Sequence, residues 1–125
     1  MDFFDLSEKK ASFEVSAHTM LVGSDILVVL TGGRAHIGAV ALAQPRPSIK
    51  DSQKISSTSS VFTYVGHKED VVAKAMSEGL SGALNKRVVV TAGIHWDELK
   101  KTDIELIVDI CRKITKRIIV EVSKR

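Results

Sequence analysis

Between Ser12 and Met20 the chain alternates, with Phe13, Val15 and Ala17 on one side and Glu14, Ser16 and His18 on the other. A period of two predicts a strand with one buried face. After a turn at Gly23-Ser24-Asp25 come two apolar runs, Ile26–Leu30 and His36–Ala43, parted by Thr31-Gly32-Gly33. Their closeness predicts a central hairpin. Gln44–Ser57 holds both prolines, Pro45 and Pro47, shows no period, and predicts a mobile loop that could act as a lid.

Val61–Val65 restores a strand, and Val72, Ala75, Met76, Leu80, Ala83 and Leu84 then recur at helical spacing, predicting a helix from about Lys68 to Leu84. Gly79 and Gly82 within it each cost about 1 kcal/mol relative to alanine, so they are expected to allow close packing against the sheet. Arg87–Ala92 reads as a buried strand and Gly93–Lys101 as a loop. Thr102 with Glu105 predicts a capping box at the start of a second helix. That helix is expected to bury Ile104, Ile107, Val108, Cys111, Ile114, Ile118 and Val122. The order of elements predicts an α+β fold, a mainly antiparallel sheet of about five strands with two helices packed on one face.

A length of 125 residues with 44% hydrophobic content suits a single domain spanning 1–125. The balance of 18 basic and 15 acidic residues gives a net charge of +3, too modest to argue for nucleic acid as a partner. No apolar run approaches the roughly 20 residues of a membrane span, so no membrane association is expected. The start, Met1–Lys10, has no apolar core of a signal peptide. A single cysteine, Cys111, fits a reducing compartment, and cytoplasmic localisation is the expectation.

Candidate chemistry gathers in three blocks where histidine stands near glycine at the junction of an ordered segment and a loop: 32–38 with His36, 66–70 with His67, and 91–97 with His95. Histidine suits metal binding or proton exchange near neutral pH. The three together predict a shared site, with a divalent metal ion on His36, His67 and His95 if the fold brings them together, and with Asp97, Glu69 or Asp70 completing the shell or orienting an imidazole. Gly66, His67 and Lys68 at a helix start offer an anion site. Arg34, Lys68 and the hydroxyls of Ser57 and Ser59 are candidates to hold a phosphate, and Trp96 or Tyr64 to stack on a flat ring. Trp96 equally suits closing the core beneath a loop. His18, on a polar strand face, is expected to be solvated. P-loop, dinucleotide-type glycine fingerprint and serine elbow motifs are absent from the sequence.

The succession Ala35-His36-Ile37-Gly38-Ala39-Val40, a serine- and threonine-rich strand leading to Gly66-His67-Lys68-Glu69, and Ala92-Gly93-Ile94-His95 before a helix resembles the prenylated-flavin chaperones. These are small D-subunit-like accessory proteins of UbiD-type decarboxylases, and the resemblance runs from about Ile26 to Val122. It implies a non-catalytic carrier that binds prenylated flavin mononucleotide (prenylated FMN), protects it and delivers it to a UbiD-type decarboxylase. Cofactor-binding residues would then be Arg34, Ser57, Ser59, Tyr64, Gly66, Lys68 and Trp96. Two other readings stay open on the residues alone. One is a metal-dependent hydrolase of a phosphate-bearing small molecule, with a histidine or Asp97 as general base. The other is an assembly subunit that uses Phe3 and Phe4 at an interface. A small sheet gains from covering its open face or edge, so a homo-oligomer, most simply a homodimer, is expected.

Overall fold

Alternation carries the chain into a single sheet. A computed structural model describes residues 2–64 and 69–125. Among these, six strands and two helices form: β1 (Asp2–Lys10), β2 (Phe13–Val22), β3 (Asp25–Gly33), β4 (Ala39–Pro47), β5 (Ile55–Thr63), α1 (Asp70–Leu84), β6 (Val88–His95) and α2 (Lys101–Ser123). The strand order is β1-β2-β3-β6-β4-β5. Every adjacent pair is antiparallel except β3 and β6, which run parallel at the centre. The α+β class therefore holds, with one strand more than expected.

Both helices cover one face, α1 over β4, β5 and β6, and α2 over β1 and β2. Val15 and Ala17, Val28 and Leu30, Val90 and Ala92, and Ala39 and Ala41 point into that layer and are fully buried. They meet Met76 and Leu80 of α1 and Ile114 and Ile118 of α2. Each of the larger aliphatic side chains contributes about 1.5–3 kcal/mol by leaving water. The small alanines of β4 let α1 lie close to the sheet.

Several sequence expectations need correction. Ile26–Leu30 and the run after it form no hairpin, because β6 lies between β3 and β4. The expected loop at Gln44–Ser57 shrinks to 48–54, since Pro45 and Pro47 belong to β4. Beyond Ala43 that strand has β5 as its neighbour but no longer β6, so proline's missing N–H breaks no central ladder. Gly79 and Gly82 are not packed against a wall: an added Cβ would sit 3.6 Å from Thr115 Cγ2 and 3.8 Å from the Ser56 backbone, ordinary contact distances. At α2 the cap lies two residues earlier than expected, where the Lys100 backbone N–H donates to Asp103 Oδ2 at 3.0 Å. Ile104 is half exposed rather than buried. Among the described residues no helix is long and apolar enough to cross a membrane.

Candidate functional site

The parallel pairing of β3 and β6 makes both strands end at the same edge of the sheet, with Gly33 opposite His95. Ligands of open α/β sheets tend to sit at such carboxyl ends. The connection 34–38 leaves β3 there, and Glu69, at the entry to α1, closes over it. The connection is fastened to β6 at both ends: Arg34 N–H donates to His95 O at 3.0 Å and Gly38 N–H to Ala92 O at 2.9 Å. Two glycines make that approach possible. A Cβ on Gly93 would stand 1.7 Å from His36 O, and one on Gly33, whose φ is +67°, would stand 2.1 Å from His95 O.

His36 is held by both ring nitrogens. Its Nδ1 lies 2.8 Å from Arg34 O, and its Nε2 lies 2.7 Å from Glu69 Oε1. A carbonyl and a carboxylate only accept, so satisfying both requires a proton on each nitrogen, which is the imidazolium. The Arg34 carbonyl accordingly raises the His36 pKa above its ordinary 6.5, and Glu69 adds to this against the opposing effect of burial. Glu69 is 7% exposed and also accepts from Ile94 N–H at 3.4 Å. It gives α1 no side-chain cap, because its carboxylate turns towards His36.

The His95 ring stands edge-on to His36 with centroids 6.3 Å apart, and His95 Nε2 meets Asp97 Oδ1 at 3.1 Å. Glu69 and Asp97 thus each orient one imidazole. Gly66, His67 and Lys68 lie outside the described residues. As placed, His36 turns one nitrogen to the Arg34 carbonyl and the other to the Glu69 carboxylate, so a metal on Nε2 would take the place of the proton shared with Glu69. Among the described residues no group of three or more His, Cys, Asp or Glu side chains is gathered for a metal ion. The hydrolase reading, which needs metal-bound water, draws no support from this arrangement.

The remaining candidates divide. Arg34 is exposed beside His36, and Tyr64 joins the same edge, its N–H donating to Gly38 O at 2.9 Å. Tyr64 meets Phe62 edge-to-face at 5.5 Å, and both rings are more than half exposed. Sequence reasoning missed Phe62, although its place two residues before Tyr64 in a strand puts both on one face. Trp96 is spent on packing: it covers Gly32 and stands edge-on to Phe13 at 5.0 Å, at the border of the core. Ser57 and Ser59 lie apart, facing α1, where they donate to Glu78 O at 2.8 Å and Glu78 Oε2 at 2.7 Å. Seven residues of β-strand separate Ser57 from Tyr64, roughly 23 Å. A separate cavity of about 540 Å³ near that end is lined by Asp25, Leu42, Gln44, Ser60, Arg87 and Val89, among others.

Residues 9–123 match the prenylated flavin chaperone LpdD-like domain. The chain belongs to that family. It is 26% identical over 112 residues to Protein LpdD of Lactiplantibacillus plantarum, covering 89% of this chain and 79% of that one. Its fold is similar to a chain in the crystal structure of a chaperone complex for yeast 20S proteasome assembly, with a TM-score of 0.59, 14% identity and 96% of each chain covered. That likeness is one of fold alone.

For this LpdD-like chain, prenylated FMN is the group whose fit matters. Such a group asks for an apolar surface for its rings and cationic donors for its phosphate. Phe62 and Tyr64 with exposed Ile37 supply the first, and Arg34 with the His36 imidazolium the second. The residues at this edge fit the group; Ser57 and Ser59, with their hydroxyl protons committed to Glu78, do not join it.

Proposed function

We propose that this LpdD-like chain is a non-catalytic carrier that holds prenylated FMN at the carboxyl ends of β3 and β6 and passes it to a UbiD-type decarboxylase in the cytoplasm. The observation that carries the reading is the juxtaposition of a histidine bonded through both nitrogens, the neighbouring Arg34, and an exposed aromatic pair at one sheet edge. When bound, the prenylated flavin supplies the reactive ring system that the decarboxylase uses. This chain's own residues hold and orient it. Arg34 would donate to the phosphate, the His36 charge would favour the anion, and Tyr64 and Phe62 would shield one side of the rings from water. The Arg34 and Gly38 N–H groups, bonded to β6, hold the connection beneath the ligand, which would lower the ordering cost of binding.

Anaerobic titration of the full chain with FMN and with prenylated FMN, followed by absorbance and native mass, tests the reading. Preferential uptake of the prenylated form is expected, and removing the charged donor in Arg34→Ala should weaken it about tenfold or more, since a hydrogen bond to a charged group contributes about 1.5–3 kcal/mol. Loaded chain should then restore activity to a cofactor-free decarboxylase. No uptake, or uptake indifferent to Arg34 and Tyr64, would refute the proposed site.

A further inference from the structure

The helices leave the other face of the sheet without a covering layer. Its outward positions run across all six strands and include Phe3, Leu27, Val29, Val89, Leu42 and Phe62. Phe62 is 64% exposed, Phe3 56% and Leu42 55%, sizeable apolar side chains of a face that neither helix covers. The central strands sharpen the point. Ile26–Leu30 and Val88–Val90 are apolar at every position, and β3 and β6 are parallel neighbours. Parallel strands with such runs are characteristically covered on both faces, and here only the inward half of each run is covered.

We infer that this face is a two-fold interface between two copies of the chain, packed sheet on sheet. Size favours this occupant. Six strands about 4.8 Å apart and some nine residues long give a face roughly 24 Å by about 27 Å, so about 1,300 Å² across two copies, within the roughly 1,200–2,000 Å² of stable interfaces. Shape favours it too, because a flat face six strands wide is matched by another sheet about 10 Å away, and the chain itself carries one. An isologous pairing closes on itself and leaves no apolar face over. Polar chemistry is arranged as such an interface requires, with an apolar centre and a polar rim. The outward ionisable groups lie on the flanking strands or at strand ends: Asp5 with His18, and Lys9 opposite Glu14, on β1 and β2, Arg46 towards the end of β4, and Asp25 with Arg87 at the start of β3 and before β6. At the middle of the face the Thr91 hydroxyl is buried with no hydrogen-bond partner among the described residues. A second copy lays strands bearing Thr91, Ser60 and Thr58 hydroxyls over that group.

Phe62 of the proposed flavin site stands on this same face, opposite Val40 near the carboxyl ends of the central strands, so that site would border the interface. The inference is tested on the full chain without ligand, where its failure and that of the carrier reading are distinguishable. Sedimentation equilibrium should give twice the 13.6 kDa chain mass. Leu42→Glu changes a side chain already exposed in the single chain, so it should keep its circular dichroism while raising the dimer dissociation constant at least about tenfold, the effect of losing some 1.4 kcal/mol. Ile104→Glu, equally exposed but on α2, should leave association unchanged. A wild-type chain that stays at the single-chain mass overturns the inference, as does a folded Leu42→Glu that associates like wild type. Should that variant not fold, methyl nuclear Overhauser effects in a mixed-label sample of wild-type chain decide. Intermolecular contacts from Leu27, Val29, Leu42 and Val89 are expected, and contacts confined to helix methyls overturn it.

Discussion

His36 Nε2 and Glu69 Oε1 lie 2.7 Å apart although 33 residues separate them in the chain. The pair joins the connection after β3 to the entry of α1, while the His36 carbonyl resting on Gly93 joins it to β6. Three segments remote in sequence are locked into one edge by a single side chain and its own backbone. Rigidity here is therefore a property of the His36 environment.

Because the folded His36 pKa is raised, its contribution to stability is complete below the unfolded value of about 6.5 and is lost as pH rises through the folded value. Urea unfolding from about pH 5.5 to about pH 8.5 should show wild type exceeding His36→Gln most at the acidic end, with the gap narrowing as pH rises. Glu69→Gln should lower stability by about 1–3 kcal/mol at acidic pH and bring the His36 pKa, followed by imidazole NMR, back towards its ordinary value.

Two glycines in contrasting surroundings give opposite signs. Gly93→Ala drives a methyl into the His36 carbonyl and should destabilise by about 3 kcal/mol or more. Gly79→Ala, with ordinary contact to Thr115, should stabilise α1 by about 0.5–1 kcal/mol. Chemical denaturation of both variants checks the pair.

What was legible in the sequence follows from the range of the forces involved. The strand at Phe13, Val15 and Ala17 and the helix faces at Met76, Leu80, Ile114 and Ile118 declare themselves because burial is periodic along the chain. β1 was not predicted: Asp2, Asp5, Lys9 and Lys10 are exposed on an edge strand that contributes only Phe4, Leu6 and part of Glu8 to the covered side. The insertion of β6 between β3 and β4 is a long-range pairing with no local signal, though the unbroken apolar runs of β3 and β6 marked them as central. Of the candidate site, the glycine and histidine blocks at 32–38 and 91–97 were readable and do meet. Ser57 and Ser59 were misplaced because a hydroxyl's partner, here Glu78 of α1, depends on which sheet face it occupies.

Ser57→Ala and Ser59→Ala should accordingly behave as structural changes. Each removes a hydrogen bond to Glu78 and should reduce stability by about 1 kcal/mol, with prenylated-flavin affinity unchanged within error. Calorimetric unfolding and ligand titration on the same samples separate the two effects.

Burial pushes the Cys111 thiol up to about 12, so almost none is thiolate near neutral pH. Alkylation of the native chain should be negligible at pH values well below that and become rapid on unfolding in urea. Fast labelling of the folded chain would show that the α2 face opens.

The most direct test of the carrier site is an amide NMR map of the full chain on anaerobic addition of prenylated FMN. The largest shifts are expected at Arg34–Gly38, Tyr64 and Ile94–Asp97. Shifts centred instead on Leu42, Ser60, Arg87 and Val89, which line the cavity at the opposite end of the sheet, or no shifts at saturating ligand, would contradict the site at the carboxyl ends of β3 and β6.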